Sequence, residues 1–140
     1  MTMTKKSTAK ARYLRTHIIL SIAYVVSVAL ASAFVPDDAR PSPLVIGFAL
    51  LPGAMILGWI WNMGRYLIEM EDEYLRLLEI RKALVATAIT LGIAGGWGLV
   101  ELFAQVPRLP VFFIFPIWCV GLAVGQLVNR LTINSGGDRA

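Results

Sequence analysis

Four acidic side chains within five positions are the first group in this sequence that could do chemistry. They are Glu69, Glu71, Asp72 and Glu73. Carboxylate oxygens are the ligands that Mg²⁺ and Ca²⁺ prefer, but this group has neither the spacing nor the glycine turn of a calcium loop. Acidic residues also suit the first turn of a helix, where Asp is a favoured N-cap. We therefore expect Asp72 to cap a helix and predict no metal site, with a cation site as the weaker alternative.

Three further side chains could titrate or react, and they are isolated from one another. Glu101 is the only acid inside a long apolar segment, and we expect it at the outer membrane interface, paired with Arg108. His17 starts the first such segment, so it lies about 25–30 Å from Glu101 across the bilayer. The single Cys119 has no disulfide partner and is predicted to pack as a small apolar side chain. One histidine and one cysteine cannot supply the four ligands of a structural zinc site.

Sequence motifs of soluble enzymes are absent: there is no G-x-S-x-G, no P-loop and no H-E-x-x-H. We therefore predict that the protein is not an enzyme and has no cofactor. The net charge of +4 would suit nucleic acid. However, the basic residues flank apolar segments and do not alternate with aromatic residues as in single-strand binding grooves. We therefore predict no nucleic-acid partner.

The apolar residues gather into four runs, each close to the roughly 20 residues that cross a bilayer as a helix. Hydrophobic residues make up 57% of the chain and charged residues 16%, against about 25% charged in soluble domains. The sequence therefore predicts an all-α membrane protein with four transmembrane helices, over residues 17–131. The spans are predicted at about residues 17–35, 44–63, 83–103 and 111–131.

The first apolar run also has features of a secretory signal peptide. It follows a basic segment, and Ala31, Ser32 and Ala33 resemble a cleavage site. We favour an uncleaved helix, and both interpretations predict the same orientation for the rest of the chain.

The segments outside the apolar runs are polar and short. Residues 1–16 hold five basic residues and no acid, which predicts a polar, mobile arm. Residues 64–82 predict a charged hairpin in which the chain reverses near residues 69–72. A third helix starting near Asp72 would measure roughly 50 Å, so about three of its turns would project beyond a core about 30 Å thick. Residues 132–140 are predicted to form a polar tail.

The orientation follows from an asymmetry in lysine and arginine, which accumulate on the cytoplasmic side of bacterial membrane proteins. Eleven such residues fall on the side of the termini and the charged hairpin, and two fall on the other side. We therefore predict that both termini are cytoplasmic. The eleven are Lys5, Lys6, Lys10, Arg12, Arg15, Arg65, Arg76, Arg81, Lys82, Arg130 and Arg139, and the two are Arg40 and Arg108.

Two pairs of glycines have the G-x-x-x-G spacing that lets helices approach closely. Gly92 and Gly96 lie in the third span, and Gly121 and Gly125 lie in the fourth. A short loop joins these two spans, so we expect the glycines to pack the third and fourth helices together. Dimerisation through the same faces is the alternative.

The stretches DEYLRLL, ALVATAITL, WGLVELF, VPRLP and GLAVGQLVNRL resemble a group of small four-helix bacterial inner-membrane proteins with no assigned activity. The resemblance covers roughly residues 71–131 and implies a bacterial inner membrane as the location, but it carries no functional residue with it. Small multidrug exporters also have four spans, but their coupling glutamate lies in the first span. The first span here, HIILSIAYVVSVALASAFV, has no acid.

Two functional interpretations follow from these patterns. The first is a non-catalytic accessory or interaction subunit of a membrane complex, whose partners are the lipid bilayer and either another protein or further copies of this chain. Its predicted contact residues are Glu69, Asp72, Glu73 and Arg76, together with the glycine faces. The alternative is a small oligomeric transporter or channel that uses polar residues of the last two spans. Those residues are Glu101, Gln126 and Asn129.

Overall fold

The computed structural model describes the backbone of residues 2–35 and 40–137 and the side chains of residues 8–35 and 40–133. Within these segments the chain forms four α-helices, one short 3-10 helix and no strand. All four α-helices are long and apolar enough to cross a membrane, so the prediction of an all-α membrane protein with four transmembrane helices is confirmed. The helices are α1 (Thr2–Phe34), α2 (Pro43–Glu69), α3 (Glu73–Phe103) and α4 (Ile114–Gly137), and the 3-10 helix is Val111–Phe113.

The helices form two compact units, each an antiparallel pair. The first hairpin contains α1 and α2 within Met1–Glu71, and the second hairpin contains α3 and α4 within Asp72–Ala140. In the first hairpin α2 begins at Pro43 behind an N-cap, because the Ser42 hydroxyl accepts a hydrogen bond from the Val45 amide at 3.3 Å. Serine at the cap and proline at the first helical position are both favoured at helix starts.

The helices extend further at both ends of the chain than the sequence predicts. The expected mobile arm, residues 1–16, is part of α1 from Thr2 onward. This segment contains Lys, Ala, Arg and Leu and no Gly or Pro, and adding such residues to an existing helix costs little compared with starting a new one. Helix α4 continues to Gly137, so most of the expected tail is helical although it ends in two glycines. Residues 138–140 of that tail lie outside the described residues.

Helix α2 ends at Glu69 and α3 begins at Glu73, so a break in the helix lies where the sequence predicts a turn, and the reversal of the chain there stays a prediction. Asp72 is the N-cap of α3, and its side chain accepts a hydrogen bond from the Leu75 amide at 3.1 Å. The 31 residues of α3 measure about 46 Å, against a hydrocarbon core of about 30 Å. With the span starting at residue 83, as the sequence predicts, the turns from Glu73 onward would extend about 15 Å beyond the core.

The second hairpin is held by a backbone contact between α3 and α4. A Cβ atom at Gly121 would lie 2.8 Å from the Cα of Ala86, and one at Gly125 would lie 2.7 Å from the carbonyl oxygen of Lys82. Ala86 and Thr90 are buried on the same stripe of α3. Glycine on one helix and small residues on the other therefore bring the two backbones into contact, which is how helices associate in lipid.

Gly92 and Gly96 have the same spacing but do not take part in this contact. A Cβ atom at either position would meet no described atom within 4 Å. At about 100° per residue, Gly92 lies about 200° around α3 from Thr90, so the stripe that packs on α4 does not include it. Within the second hairpin these two glycines are therefore not packing residues, which corrects the expectation for α3. Contact of this face with a second chain stays a prediction.

The two glycine pairs should respond oppositely to the same substitution. Gly121→Ala or Gly125→Ala would place a methyl group against backbone atoms that cannot move cheaply, so we expect a loss of about 1–3 kcal/mol in the free energy of unfolding. Gly92→Ala and Gly96→Ala are the matched controls and should be neutral or stabilising by up to about 1 kcal/mol, because alanine favours helix. Unfolding in mixed micelles with increasing SDS, followed by circular dichroism, measures both. Equal effects at both pairs would contradict this packing.

Candidate functional site

Charged side chains join the polar ends of α1 and α2. The carboxylate of Glu69 accepts one hydrogen bond from Arg12 on α1 and one from Nε of Arg65 at 3.1 Å on its own helix. Both arginine side chains are 54% exposed, and the Glu69 side chain is 29% exposed. Because the cluster contains two guanidinium groups and one carboxylate, it keeps a net positive charge at the surface.

A column of four aromatic rings continues from this cluster toward the middle of the first hairpin. Tyr66 stacks on Tyr13 with ring centroids 4.2 Å apart, and Tyr13 lies 5.2 Å from the ring of His17. His17 lies 4.0 Å from the ring of Trp59, which is buried. The two outer rings, Tyr66 and Trp59, belong to α2 and the two inner rings belong to α1, so the column joins the two helices. Each such aromatic pair adds about 0.5–1.5 kcal/mol beyond the area it buries.

Hydrogen bonds from side chains reinforce this column. Nε1 of Trp59 donates to the Ser21 hydroxyl at 3.3 Å, and that hydroxyl donates to the carbonyl oxygen of His17 at 2.8 Å. Nδ2 of Asn62 donates to the carbonyl oxygen of Tyr13 at 3.3 Å. Asn62 therefore binds the neighbouring helix, and His17 belongs to a packed aromatic interface.

Polar side chains join α3 to α4 in the second hairpin as well. Asn129 is 3% exposed, and its Nδ2 donates to the carbonyl oxygen of Leu78 at 2.7 Å. Trp118 donates to the Thr87 hydroxyl at 3.2 Å. These bonds lie along the same interface as the glycine contact, so the polar residues of these helices largely serve helix packing.

Glu101, near the end of α3, hydrogen-bonds to the loop that follows this helix. Its Oε1 accepts a hydrogen bond from the backbone amide of Leu109, and nearby Trp97 donates to the carbonyl oxygen of Pro107 at 3.3 Å. Among the ion pairs of the described residues, none joins Glu101 to Arg108. The carboxylate thus satisfies a loop amide, where the sequence predicts an ion pair at the interface.

The structure does not assemble the residues of the transport interpretation into one site. Glu101 lies at the loop end of the second hairpin, whereas Asn129 lies opposite Leu78. Leu78 and Glu101 are 23 positions apart on α3, or about 35 Å along the helix. Gln126 is exposed. A continuous polar path within this hairpin would therefore need further polar side chains between the depth of Asn129 and the depth of Glu101.

The four predicted contact residues have different local surroundings. Glu69 is bound by two arginines, and Asp72 caps α3. Arg76 is partly buried, with its Nε enclosed. Glu73 is the one with an exposed side chain. The role of these residues in contacting a partner stays a prediction, and two of them also stabilise the chain itself.

Sequence reasoning missed two features. The first is the aromatic column. Its signal in the sequence is that Tyr13 and His17 are four positions apart near the start of α1, and Trp59 and Tyr66 are seven positions apart near the end of α2, so each pair lies on one face of its helix. The second is an exposed apolar pair near the start of α3, with Tyr74 59% exposed and Leu77 62% exposed. The sequence shows that these two residues are three positions apart, but it does not show that α4 leaves them uncovered.

No three His, Cys, Asp or Glu side chains group together as metal ligands in the part of the chain that the structure describes. Cys119 is partly buried in α4 and is a free thiol. Comparisons with protein-family models, curated proteins and solved structures find no match for this chain. The resemblance to small bacterial inner-membrane proteins therefore stays a prediction.

The capping role of Asp72 can be measured at a single amide. Asp72→Ala removes the acceptor of the Leu75 amide and should lower the stability of the first turn of α3 by about 1 kcal/mol. We therefore expect the Leu75 amide to exchange its hydrogen about 5-fold faster. Asp72→Asn retains an acceptor oxygen, so in this variant the Leu75 amide should exchange its hydrogen at nearly the rate of the parent protein. Glu73→Gln is the control, because it removes a charge from the same turn but no cap bond. Equal exchange of Leu75 in Asp72→Ala and in Glu73→Gln would rule out the cap as the stabilising contact.

Proposed function

We propose that this chain is a non-catalytic accessory subunit of a bacterial inner-membrane complex, and that the start of α3 contacts its protein partner. The observation that carries the proposal is the exposed pair Tyr74 and Leu77. They are three positions apart, so they lie on one side of the helix, with exposed Glu73 beside them. We call these three residues the α3 face.

The depth of the α3 face argues for protein as the covering surface. The predicted apolar span begins at residue 83, so Leu77 lies about 9 Å and Tyr74 about 14 Å before it along the helix. The headgroup layer is only about 5–8 Å thick on each side. Acyl chains therefore do not reach these side chains, whereas exposed apolar residues within the spans need only lipid to cover them. Aromatic and apolar side chains with a charged rim are typical of protein interfaces.

The polar groups of the spans support a structural role over a catalytic one. Asn62, Asn129 and Thr90 all hydrogen-bond to backbone carbonyl groups of the hairpin they belong to. Glu101 likewise binds a loop amide of its own hairpin. Asn62 and Asn129 join two helices in this way, whereas Thr90 bonds within its own helix and Glu101 within a loop, so these side chains serve the fold of each hairpin.

The proposed orientation places both termini and the α3 face in the cytoplasm. It is supported by the eleven lysine and arginine residues on that side against two on the other. The location in a bacterial inner membrane rests on the sequence resemblance of residues 71–131.

A photo-crosslinking residue tests the α3 face directly. We expect a crosslinker at position 77, in the full chain in native membranes, to give one discrete adduct with a partner of defined mass. Adding Tyr74→Ala should reduce that adduct about 10-fold, because aromatic residues carry much of the energy of an interface. The measurement is the adduct band and its identification by mass spectrometry.

Ile133 supplies the matched control. It is an exposed apolar residue on α4 of the same hairpin, at about the depth of Tyr74, because Asn129 four residues earlier meets Leu78. A crosslinker at position 133 should not give the adduct. Equal adducts at both positions, or none at 77, would overturn the α3 face as the contact.

A flux measurement separates this proposal from the transport interpretation. Purified protein in proteoliposomes is expected to pass protons, Na⁺ and K⁺ no faster than empty liposomes do. Glu101→Gln retains an oxygen that can accept from the Leu109 amide but removes the charge, so it leaves the loop intact. A flux in the parent protein that disappears in Glu101→Gln would favour transport and contradict the accessory role.

A further inference from the structure

A shallow groove between α1 and α2 opens beside the charged cluster of the first hairpin. Arg12, Thr16 and Tyr13 line it from α1, and Arg65 and Tyr66 line it from α2. We call these five residues the anion groove. Ala9, Asn62 and the Glu69 carboxylate complete the lining, so two guanidinium groups outnumber one carboxylate around this concave site.

The two arginines have hydrogen-bond donors to spare. Each guanidinium carries five N–H donors, and Glu69 accepts one bond from each. Both side chains are about half exposed, so their remaining donors reach the groove or the solvent around it. The carboxylate meanwhile holds the two guanidinium groups close together, which reduces the ordering cost of binding a shared anion.

The surrounding charge favours an anion. Among the described side chains at the end of the first hairpin that contains this groove, there are four basic residues against two acids. The basic residues are Lys10, Arg12, Arg15 and Arg65, and the acids are Glu69 and Glu71. Arginine donors bind phosphate oxygens in pairs with fixed geometry, which makes phosphate the anion that this site fits best.

The depth of the groove indicates where that phosphate comes from. Arg65 lies two positions after the predicted end of the second span, and Arg12 lies five positions before the predicted start of the first span. Both residues are therefore about 3–8 Å outside the hydrocarbon. This is the level of lipid headgroups. Ile18, Ile19 and Trp61 are exposed apolar side chains on the same two helices, and they offer a surface for acyl chains below the headgroup.

We propose that the anion groove binds the phosphate of one anionic phospholipid, with Arg12 and Arg65 donating to its oxygens. Basic pockets between transmembrane helices are known to bind such headgroups. Tyr13 and Tyr66, which are stacked on each other, form the wall of the site and keep the two helices at the distance that the phosphate bridges. The proposal does not depend on the partner of the α3 face, which belongs to the other hairpin.

Short-chain lipids provide the probe. The full chain is stripped of lipid in detergent, and binding of dioctanoyl phosphatidylglycerol is followed by native mass spectrometry. We expect one lipid to bind per chain at saturation, and dioctanoyl phosphatidylcholine to bind at least about 10-fold more weakly, because its headgroup has no net charge. Inorganic phosphate is a third probe, which separates the headgroup from the free ion.

Two double variants with the same change in net charge distinguish a site from general surface charge. Arg12→Gln with Arg65→Gln should weaken phosphatidylglycerol binding about 10-fold or more, because it removes the charged donors. Lys10→Gln with Arg15→Gln removes two charges from exposed positions on α1 outside the groove, and it should weaken binding less than about 3-fold. Arg12→Lys with Arg65→Lys keeps the charge but loses the paired donors. The affinity of this variant for phosphatidylglycerol should therefore lie between the affinities of the two glutamine variants.

Three results would overturn the proposal. Equal losses in the groove variant and in the Lys10 and Arg15 variant would mean that binding follows surface charge alone. Phosphatidylcholine bound as tightly as phosphatidylglycerol would exclude a site for an anionic headgroup. Inorganic phosphate bound as tightly as the lipid would make the free ion the ligand. Circular dichroism of each variant verifies that the helices are intact, and Arg12→Lys with Arg65→Lys gives a second measurement if the glutamine variant fails to fold.

Discussion

The structure depends on one constraint: a helix surrounded by lipid cannot gain hydrophobic energy by packing against another helix, because the acyl chains are as apolar as leucine. Close van der Waals contact and interhelical hydrogen bonds must supply that stability instead. Gly125 meets this requirement directly, because without a Cβ it lets α4 lie against the backbone of α3 at Lys82. Asn129, four residues later, donates to the Leu78 carbonyl oxygen in the same interface. The glycine contact and the hydrogen bond donated by Asn129 therefore lie on the same face of α4.

The first hairpin meets the same constraint with different residues. Its described glycines do not reach the α1 backbone, and Gly58 would meet only the flexible side chain of Leu20. Ring contacts replace the backbone contact here, since Tyr13 on α1 packs on Tyr66 of α2 and His17 on α1 packs on Trp59 of α2. Rings hold helices further apart than glycine does, and this spacing leaves room for a groove beside Arg12 and Arg65. The second hairpin, with its helices in backbone contact, has less room for such a site.

The sequence predicts local features of this fold well and pairing between helices less well. Asp72 could be identified as an N-cap because capping depends on a few neighbouring residues, and the four spans could be found because apolar length is a property of the sequence. The face on which a glycine pair lies depends on helix rotation, so G-x-x-x-G at Gly92 looks the same as at Gly121 although only Gly121 packs on its neighbour. The aromatic column is harder to predict, because the spacing of its rings within each helix does not show which ring of α1 meets which ring of α2.

Glu101 shows why a charged residue near a span is an ambiguous functional signal. An ionised carboxylate at the edge of the bilayer needs donors, and a loop amide supplies one as well as an arginine or a transported cation would. Leu109 provides that amide in this chain. Once the polar groups of the spans are used within each hairpin, the groups left for function lie near the helix ends, outside the hydrocarbon. There the second hairpin exposes Tyr74 and Leu77, which suit a protein surface, and the first exposes guanidinium groups, which suit phosphate.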